Sequence, residues 1–267
     1  MFDSGLGGLT VLDAIRALAP DLDVVYFADT IHVPIGDRPL EQIAAFGYDN
    51  VQHLLQFHPA AIVIACGSTC SAFDAKGSPE APVPLLGIVE PGAREATALS
   101  RGKAIGVIAT AATIAGGVFE RAIRALAPDA RVTSVPAPAL VPIVEDGDLE
   151  GERARRAVAI ACRPLVAARC DAVILGCTHY PHLRRWFVEA LGPSVMLIDP
   201  ALATARELVE LLGPADPATT GSEGAVTFEV SADAAAFAAL AERVTGERLG
   251  SVRQVDVRRR GDLSPRP

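Results

Sequence analysis

The sequence predicts an α/β protein of mainly parallel strands covered by helices. Short apolar runs have the pattern of buried strands, and amphipathic helical patterns separate these runs along the chain. Half of the 267 residues are hydrophobic, but only 5% are aromatic. Strands of a parallel sheet are buried on both faces, which fits apolar runs made largely of alanine and small β-branched residues.

The predicted elements alternate from the first residues to the last. Seven apolar runs are predicted strands, at residues 24–28, 61–66, 85–89, 104–109, 131–135, 172–177 and 195–198. Helical patterns lie among them, at residues 41–57, 117–126 and 151–168. A loop at 213–225 precedes a predicted strand at 227–230, a helix near 232–244 and a short strand near 252–257. The charged, proline-containing tail at 258–267 is predicted to be disordered.

Bulk properties exclude several classes of protein. The formal net charge of −8 argues against a general nucleic-acid binder, which would show a basic face. No apolar stretch is long enough to predict a membrane span, and the N-terminus lacks the pattern of a signal peptide. We therefore expect a cytoplasmic protein. Its five cysteines predict neither a disulfide framework nor a zinc site, because their number is odd and their spacing matches no zinc pattern.

Residues just past the strands are the first candidates for a site, because ligands of parallel sheets collect at the carboxyl ends of the strands. Two strands end in cysteine, in the similar settings Cys66-Gly67-Ser68-Thr69 and Cys177-Thr178-His179. This similarity indicates two related halves. Other strand ends are followed by Thr110 to Thr113 and by Asp29-Thr30 with Pro34-Ile35-Gly36. Helix starts at such positions offer free backbone N–H groups that suit a carboxylate.

The two strand-end cysteines suggest proton-transfer chemistry. A cysteine in a strand is ordinarily buried and inert, but a thiol at a helix start can have a lowered pKa and exist as thiolate. Moving a proton at the α-carbon of an amino acid needs an acid on one face and a base on the other, and two thiols across a cleft can fill both roles. A hydrolase that pairs Cys177 with His179 is an alternative, although it would use only one cysteine.

The remaining motifs have ordinary structural explanations. Asp3 to Gly8 form a glycine-rich turn that suits capping of a helix from Leu9 by Asp3 or Ser4, and its glycines do not form the dinucleotide-binding pattern. Glu145 follows an apolar stretch and suits a solvated helix start or loop. We expect structural roles for the other cysteines and surface or packing roles for the other histidines: Cys70, Cys162, Cys170, His32, His53, His58 and His182.

Taken together, the motifs resemble the glutamate racemase branch of the aspartate/glutamate racemase family. The matching segments run in order over nearly the whole chain: FDSG at residues 2–5, GGLTVL at 7–12, YFADT at 26–30, IVIAC at 62–66, GIVEP at 87–91, VPIVE at 141–145 and LGCTHYP at 175–181. The resemblance implies two similar doubly wound domains with mostly parallel sheets and an active site at their interface. It places residues 1–91 plus 202–257 in the first domain and residues 92–201 in the second.

The resemblance also implies an activity and its residues. The activity is interconversion of L- and D-glutamate without cofactor or metal, which supplies D-glutamate for peptidoglycan, in a protein that forms a homodimer. Cys66 would serve one face of the substrate with help from Asp3, and Cys177 the other face with help from Glu145 and His179. The substrate's charged groups would be held by Asp3, Ser4, Pro34, Ile35, Gly36, Gly67, Ser68, Thr69, Thr113 and Thr178.

Three departures from the family pattern concern activity and substrate more than fold. Cys66-Gly67-Ser68-Thr69 stands where the family has Cys-Asn-Thr, so either Gly67 and Ser68 replace Asn and Thr, or one residue is inserted and Thr69 keeps its role. Ile35 replaces a tyrosine. Only Met1 and Phe2 precede Asp3, so we expect the chain to begin within the first strand and the sheet to lose stability.

These departures keep two other functions open. One is a related racemase or isomerase that acts on aspartate or another small acid, such as a hydantoin or maleate derivative. The other is a catalytically degenerate paralogue that binds a ligand. The altered residues beside Cys66 favour these alternatives, whereas the two thiols and their helpers favour glutamate racemisation.

Overall fold

Parallel strands and helices alternate in the computed structural model, which describes residues 1–213 and 223–257. The predicted α/β class is confirmed, with two parallel sheets. The first sheet contains β1 (Phe2–Asp3), β2 (Val24–Ala28), β3 (Ile62–Ile64), β4 (Leu85–Gly87), β9 (Val226–Val230) and β10 (Val252–Gln254). The second contains β5 (Ala104–Ala109), β6 (Arg131–Pro136), β7 (Ala172–Leu175) and β8 (Met196–Ile198).

The helices follow the strands in order. They are α1 (Leu9–Leu18), α2 (Leu40–Leu55), α3 (Gly67–Lys76), α4 (Val89–Leu99), α5 (Ala111–Gly116), α6 (Val118–Leu126), α7 (Leu140–Glu145), α8 (Glu152–Ala167), α9 (Arg184–Leu191), α10 (Pro200–Leu212) and α11 (Ala234–Thr245). Short 3₁₀ helices lie at Thr30–His32 and Tyr180–Leu183. None of the helices in the described residues is long and apolar enough to cross a membrane.

Strand order explains where a ligand can bind. The first sheet has the order β10-β9-β2-β1-β3-β4, and the second has the order β6-β5-β7-β8. In each sheet the chain places its second strand on one side of the first and its third strand on the other side. The order therefore reverses between β1 and β3 and between β5 and β7, and ligands of such sheets bind at these switch points. Cys66 follows β3 and Cys177 follows β7, so each thiol lies at a switch point.

The two cysteine-containing strands end earlier than predicted. Residues 61–66 and 172–177 were the expected strands, but β3 ends at Ile64 and β7 at Leu175. Cys66 is the N-cap residue of α3, so the chain leaves the sheet to enter the helix before it reaches the thiol. The predicted disordered tail at 258–267 and most of the predicted loop at 213–225 lie outside the described residues.

Burial accounts for the apolar runs in the sequence. Every residue of β3, β5 and β7 is buried, as expected for central strands covered on both faces. The first strand is only two residues long, yet it pairs with β2 on one side and β3 on the other.

Late in the chain, α10 packs against α1 and α4, and thereby links the helices of the two sheets.

Candidate active site

The carboxyl ends of both sheets contribute to one cavity of 350 Å³, near the lower end of the range of about 300–1,000 Å³ for small-molecule sites. One wall comes from the first sheet and its connections: Asp3, Ser4, Val33, Pro34, Ile35, Gly36, Asp37, Cys66, Gly67 and Ser68. The opposite wall comes from the second sheet and its connections: Thr110, Thr113, Pro138, Val141, Pro142, Glu145, Gly176, Cys177, Thr178 and His179. Both candidate thiols thus line a single cavity.

Cys66 is held as a protonated thiol. It is buried, and its Sγ lies 3.9 Å from Ser4 Oγ. Burial and, to a lesser degree, the charge of Asp3 raise its pKa to about 11, against weaker opposing contacts from Thr69 and Ser4. The expectation that a helix start would lower this pKa is therefore wrong for Cys66, because loss of hydration outweighs the helix terminus. At neutral pH this residue is an acid.

One carboxyl oxygen of Asp3 accepts hydrogen bonds, and the other has no hydrogen-bond partner. Its Oδ2 accepts hydrogen bonds from the backbone N–H groups of Gly5 and Gly8, at 3.3 and 2.9 Å. Its Oδ1 is buried and has no hydrogen-bond partner. Burial raises the pKa of Asp3, and the charge of His179 opposes this shift. Such an unpartnered acceptor beside Cys66 is a suitable place for a proton.

The glycine-rich turn has a different role from the predicted helix cap. Gly8 is the N-cap residue of α1, and no side chain caps that helix. Glycine is required there by crowding, because a Cβ on Gly8 would lie 2.6 Å from Asp3 Cβ and 2.7 Å from the Tyr26 hydroxyl oxygen. A Cβ on Gly7 would lie 2.2 Å from Thr178 Oγ1. The turn therefore lets the first sheet lie directly against the residues that follow Cys177.

Cys177 is at one end of a three-residue chain of contacts. Its Sγ lies 3.8 Å from Nδ1 of His179, and Nε2 of His179 lies 3.3 Å from Oε1 of Glu145. Burial disfavours a charge on His179, yet its contacts with Cys177 and Glu145 together raise its pKa to about 10. His179 is then cationic at neutral pH and lies in contact with the Cys177 sulfur.

Three buried hydroxyl groups meet between the two sheets. Ser68 Oγ lies 2.9 Å from Thr110 Oγ1 and 3.4 Å from Thr113 Oγ1, and the two threonine oxygens are 2.9 Å apart. Ser68 is in the first turn of α3, whereas Thr110 is the N-cap residue of α5. Hydroxyl groups at two helix starts can donate hydrogen bonds to a carboxylate.

The residues after Cys66 differ in whether they line the cavity. Gly67 and Ser68 line the cavity, whereas Thr69 is buried outside it and contacts Cys66 instead. Of the three residues after Cys66, the first two therefore line the cavity, which favours the interpretation in which Gly67 and Ser68 replace Asn and Thr. A Cβ on Gly67 would lie 2.6 Å from the carbonyl oxygen of Gly176, so the surrounding backbone leaves no space for an amide side chain.

Charge in the cavity is mostly negative. Asp3, Asp37 and Glu145 carry carboxyl groups, and His179 is the cationic group among the described residues of the lining, which include no lysine or arginine. An anion bound here is held by hydroxyl groups, backbone N–H groups and one imidazolium.

Sequence reasoning missed several lining residues. Asp37 adjoins the predicted Gly36, and Thr110 lies in the strand-end segment 110–113, of which only Thr113 is a predicted substrate contact. Pro138, Val141 and Pro142 gave no such signal, because their place depends on how α7 packs. Apart from Thr69, all the predicted site residues line the cavity.

Each of the two parallel sheets contributes one thiol to a shared cavity. The protein is therefore an α/β protein with a two-thiol site. The sequence profile of the Asp/Glu/hydantoin racemase family matches residues 10–208, and the chain belongs to this family. It is 37% identical over 262 residues to the glutamate racemase of Desulforudis audaxviator, covering 96% of each chain. It is 40% identical over 242 residues to that of Herpetosiphon aurantiacus, covering 89% of this chain and 94% of the relative.

Solved structures of glutamate racemases have the same fold. The enzyme from Bacillus anthracis superposes with a TM-score of 0.87 at 33% identity, covering 96% of each chain. The enzyme from Francisella tularensis, solved in complex with D-glutamate, gives a TM-score of 0.84 at 26% identity, also covering 96% of each chain.

Proposed function

We propose that this protein is a cofactor-independent glutamate racemase that interconverts L- and D-glutamate and supplies D-glutamate for peptidoglycan synthesis. One observation carries the proposal: a single cavity contains Cys66 with Asp3 and Ser4 on one wall, and Cys177 with His179 and Glu145 on the other. The family relationship and the relatives' activity support glutamate as substrate.

The thiols on the two walls supply an acid and a base. The Cys177 sulfur, assisted by the neighbouring His179, removes the α-proton from one face of the substrate. Cys66, held as a thiol by its raised pKa of about 11, delivers a proton to the other face. Cys177 then holds the former α-proton and Cys66 has lost its own to the product, and the enzyme form that results acts on the opposite enantiomer.

Polar groups of the cavity hold the substrate during this exchange. The hydroxyl groups of Ser68, Thr110 and Thr113 and the free N–H groups at the start of α3 are suited to a carboxylate. Asp3, Ser4 and Thr178 also line the cavity and complete the contacts to the substrate's charged groups. Donors fixed by the fold stabilise the negative charge that develops when the weakly acidic α-proton leaves.

The test is α-proton exchange in D₂O. Purified protein is incubated with D- or L-glutamate, and deuterium incorporation and optical rotation are followed, with aspartate in parallel. We expect exchange and loss of optical rotation with glutamate and not with aspartate. Exchange with aspartate alone would assign the site to another substrate, and no exchange with either, from folded protein, would refute racemisation.

Three further features are proposed with this function. The domain division places residues 1–91 plus 202–257 around the first sheet and residues 92–201 around the second. The cytoplasm suits the site because reducing conditions keep both thiols free, as all five cysteines are here. A homodimer follows from the resemblance to the family, and light scattering of the purified protein measures it directly.

A further inference from the structure

The outer wall of the cavity is a single short segment, residues 33–37, which we call the strap. All five of its residues line the cavity. Its outer side faces solvent, since Val33, Pro34 and Asp37 are exposed, whereas Ile35 is buried. The strap therefore lies between the cavity and solvent.

The strap is fastened to the opposite wall at its centre. The carbonyl oxygen of Gly36 accepts a hydrogen bond of 2.8 Å from the backbone N–H of Ala112, in the first turn of α5. Gly36 also packs on Thr110, because a Cβ on Gly36 would lie 3.0 Å from Thr110 Cβ. This contact joins the two sheets across the substrate cavity.

The N-terminal end of the strap is fastened to a distant part of the chain. Ser231, just after β9, accepts a hydrogen bond from the N–H of Ile31 at 2.9 Å and donates one to Asp29 at 3.1 Å. Thr30 donates to the carbonyl oxygen of Ala232 at 2.6 Å and accepts from its N–H at 2.9 Å. These four bonds, which we call the anchor, join residues about 200 positions apart in sequence.

Other contacts stiffen the two ends of the strap. Nδ1 of His32 lies 2.8 Å from Oδ1 of Asp29, and its ring stacks on Phe46 at 3.6 Å between centroids. At the other end, Arg38 donates to the carbonyl oxygen of Pro34 at 3.1 Å and lies over the same Phe46 ring. The strap is thus held beside both ends by contacts with Phe46 of α2 and at its centre by Ala112 of α5.

We propose that Ser231 and Thr30 are positioning residues of the reaction, because their anchor holds the strap where Gly36 closes the cavity against α5. Neither residue lines the cavity, so their effect passes through the strap. Without the anchor, the closed strap is a smaller fraction of the population, and apparent substrate affinity falls by that fraction. The inference rests on the proposed function, because its kinetic test uses racemisation of glutamate.

The test compares variants that remove or keep the hydroxyl group. Ser231→Ala and Thr30→Val remove it, whereas Ser231→Thr and Thr30→Ser keep it. Thr97→Ala is the matched control, because Thr97 Oγ1 makes one hydrogen bond, to the carbonyl oxygen of Arg94, on an exposed helix face. We expect Ser231→Ala and Thr30→Val to raise KM about 5- to 10-fold with kcat within about 2-fold of the parent, as loss of two partly exposed hydrogen bonds in each variant predicts.

Hydrogen exchange measures the strap without relying on activity. Peptides that contain Ile31 and Ala112 should take up deuterium faster in Ser231→Ala and Thr30→Val, and at the parental rate in the three other variants. If the parent does not racemise glutamate, the proposed function fails and exchange alone decides the role of the anchor. Unchanged KM and unchanged exchange in both hydroxyl-removing variants would overturn the inference, as would equal defects in the hydroxyl-keeping pair. If one position does not tolerate substitution, the other gives the same comparison.

Discussion

Gly67 lies directly against Gly176, and a Cβ on Gly67 would stand 2.6 Å from the Gly176 carbonyl oxygen. The residue after the first thiol therefore touches the residue before the second. This contact limits how near the two cysteine-bearing walls of the cavity approach each other, and it depends on the absence of one side chain.

Gly67→Ala should separate the two walls. The neighbour is backbone and cannot rotate away, so a methyl group must displace one of the two strand ends. A displacement of about 1 Å in a catalytic site costs roughly 100-fold, and we expect kcat/KM for glutamate to fall by about that factor. Gly250→Ala is the control, because no atom lies within 4 Å of a Cβ there. Parental kcat/KM in Gly67→Ala would show that this contact does not set the geometry.

Serine at either thiol should end racemisation. Cys66→Ser and Cys177→Ser each remove the proton carrier of one face, so we expect no measurable loss of optical rotation with glutamate. Exchange of the α-proton can persist from the face whose thiol remains. The readings are polarimetry and NMR in D₂O, with Cys162→Ala as control because Cys162 is buried in α8 away from the cavity. Racemisation at the parental rate by either serine variant would refute the two-thiol mechanism.

Activity should fall at high pH. The free enzyme that removes the α-proton with Cys177 needs a proton on Cys66, which is lost near pH 11, and a proton on His179, which is lost near pH 10. We therefore expect kcat/KM to decrease above about pH 10, since this parameter reports the free enzyme. The profile must be the same from D- and L-glutamate, because enantiomers have equal free energy in water. A decrease centred at pH 8 to 9, as for an ordinary thiol, would contradict these protonation states.

Glu145→Gln should move this decrease to lower pH. The Glu145 contact is among those that raise the pKa of His179, and glutamine keeps the size of the side chain while removing its charge. The measurement is the same pair of kcat/KM profiles. Asp146→Asn is the control, because Asp146 bonds to Arg153 rather than to His179. Coincident profiles for Glu145→Gln and the parent would mean that Glu145 does not act on His179.

His182 should destabilise the fold in acid. Burial and the charge of His179 lower its pKa from 6.5 to about 4, and its Nε2 has no hydrogen-bond partner. As the pH falls below 6.5, His182 binds a proton in the unfolded chain, whereas in the folded chain it does so only near pH 4. The free energy of unfolding therefore decreases across this window. His182→Gln should recover about 2–3 kcal/mol at pH 4.5 relative to pH 7.5.

Urea unfolding at the two pH values measures this effect. His58→Gln is the comparison, because His58 is exposed. If the stability of His182→Gln and the parent changed in parallel between the two pH values, the burial of His182 would not carry this cost.

The sequence predicted the parts of the site that depend on local pattern. Apolar runs that end in Cys66 and Cys177 identified both thiols, because central parallel strands are apolar and their carboxyl ends meet ligands. The family resemblance connected Glu145 to this site. The two-residue β1 has no pattern of its own, and its strand geometry comes from pairing with β2 and β3.

Contacts between distant segments could not be predicted from the sequence. Ser231 and Ile31 are 200 positions apart, and nothing in either segment indicates the bond that joins them. The pKa of Cys66 also depends on tertiary structure, since burial reverses the direction that its helix-start position suggested. The contact between Gly67 and Gly176 joins different sheets.

The negative lining of the cavity has a consequence for how fast substrate arrives. A glutamate anion that approaches a protein of net charge −8 meets Asp37 at the cavity wall and no lysine or arginine in the described lining. Long-range forces therefore slow the encounter, in contrast to enzymes whose fields steer ligands inward. Added salt screens this repulsion, so the association rate should rise with ionic strength. Capture of glutamate then depends on short-range hydrogen bonds formed after entry.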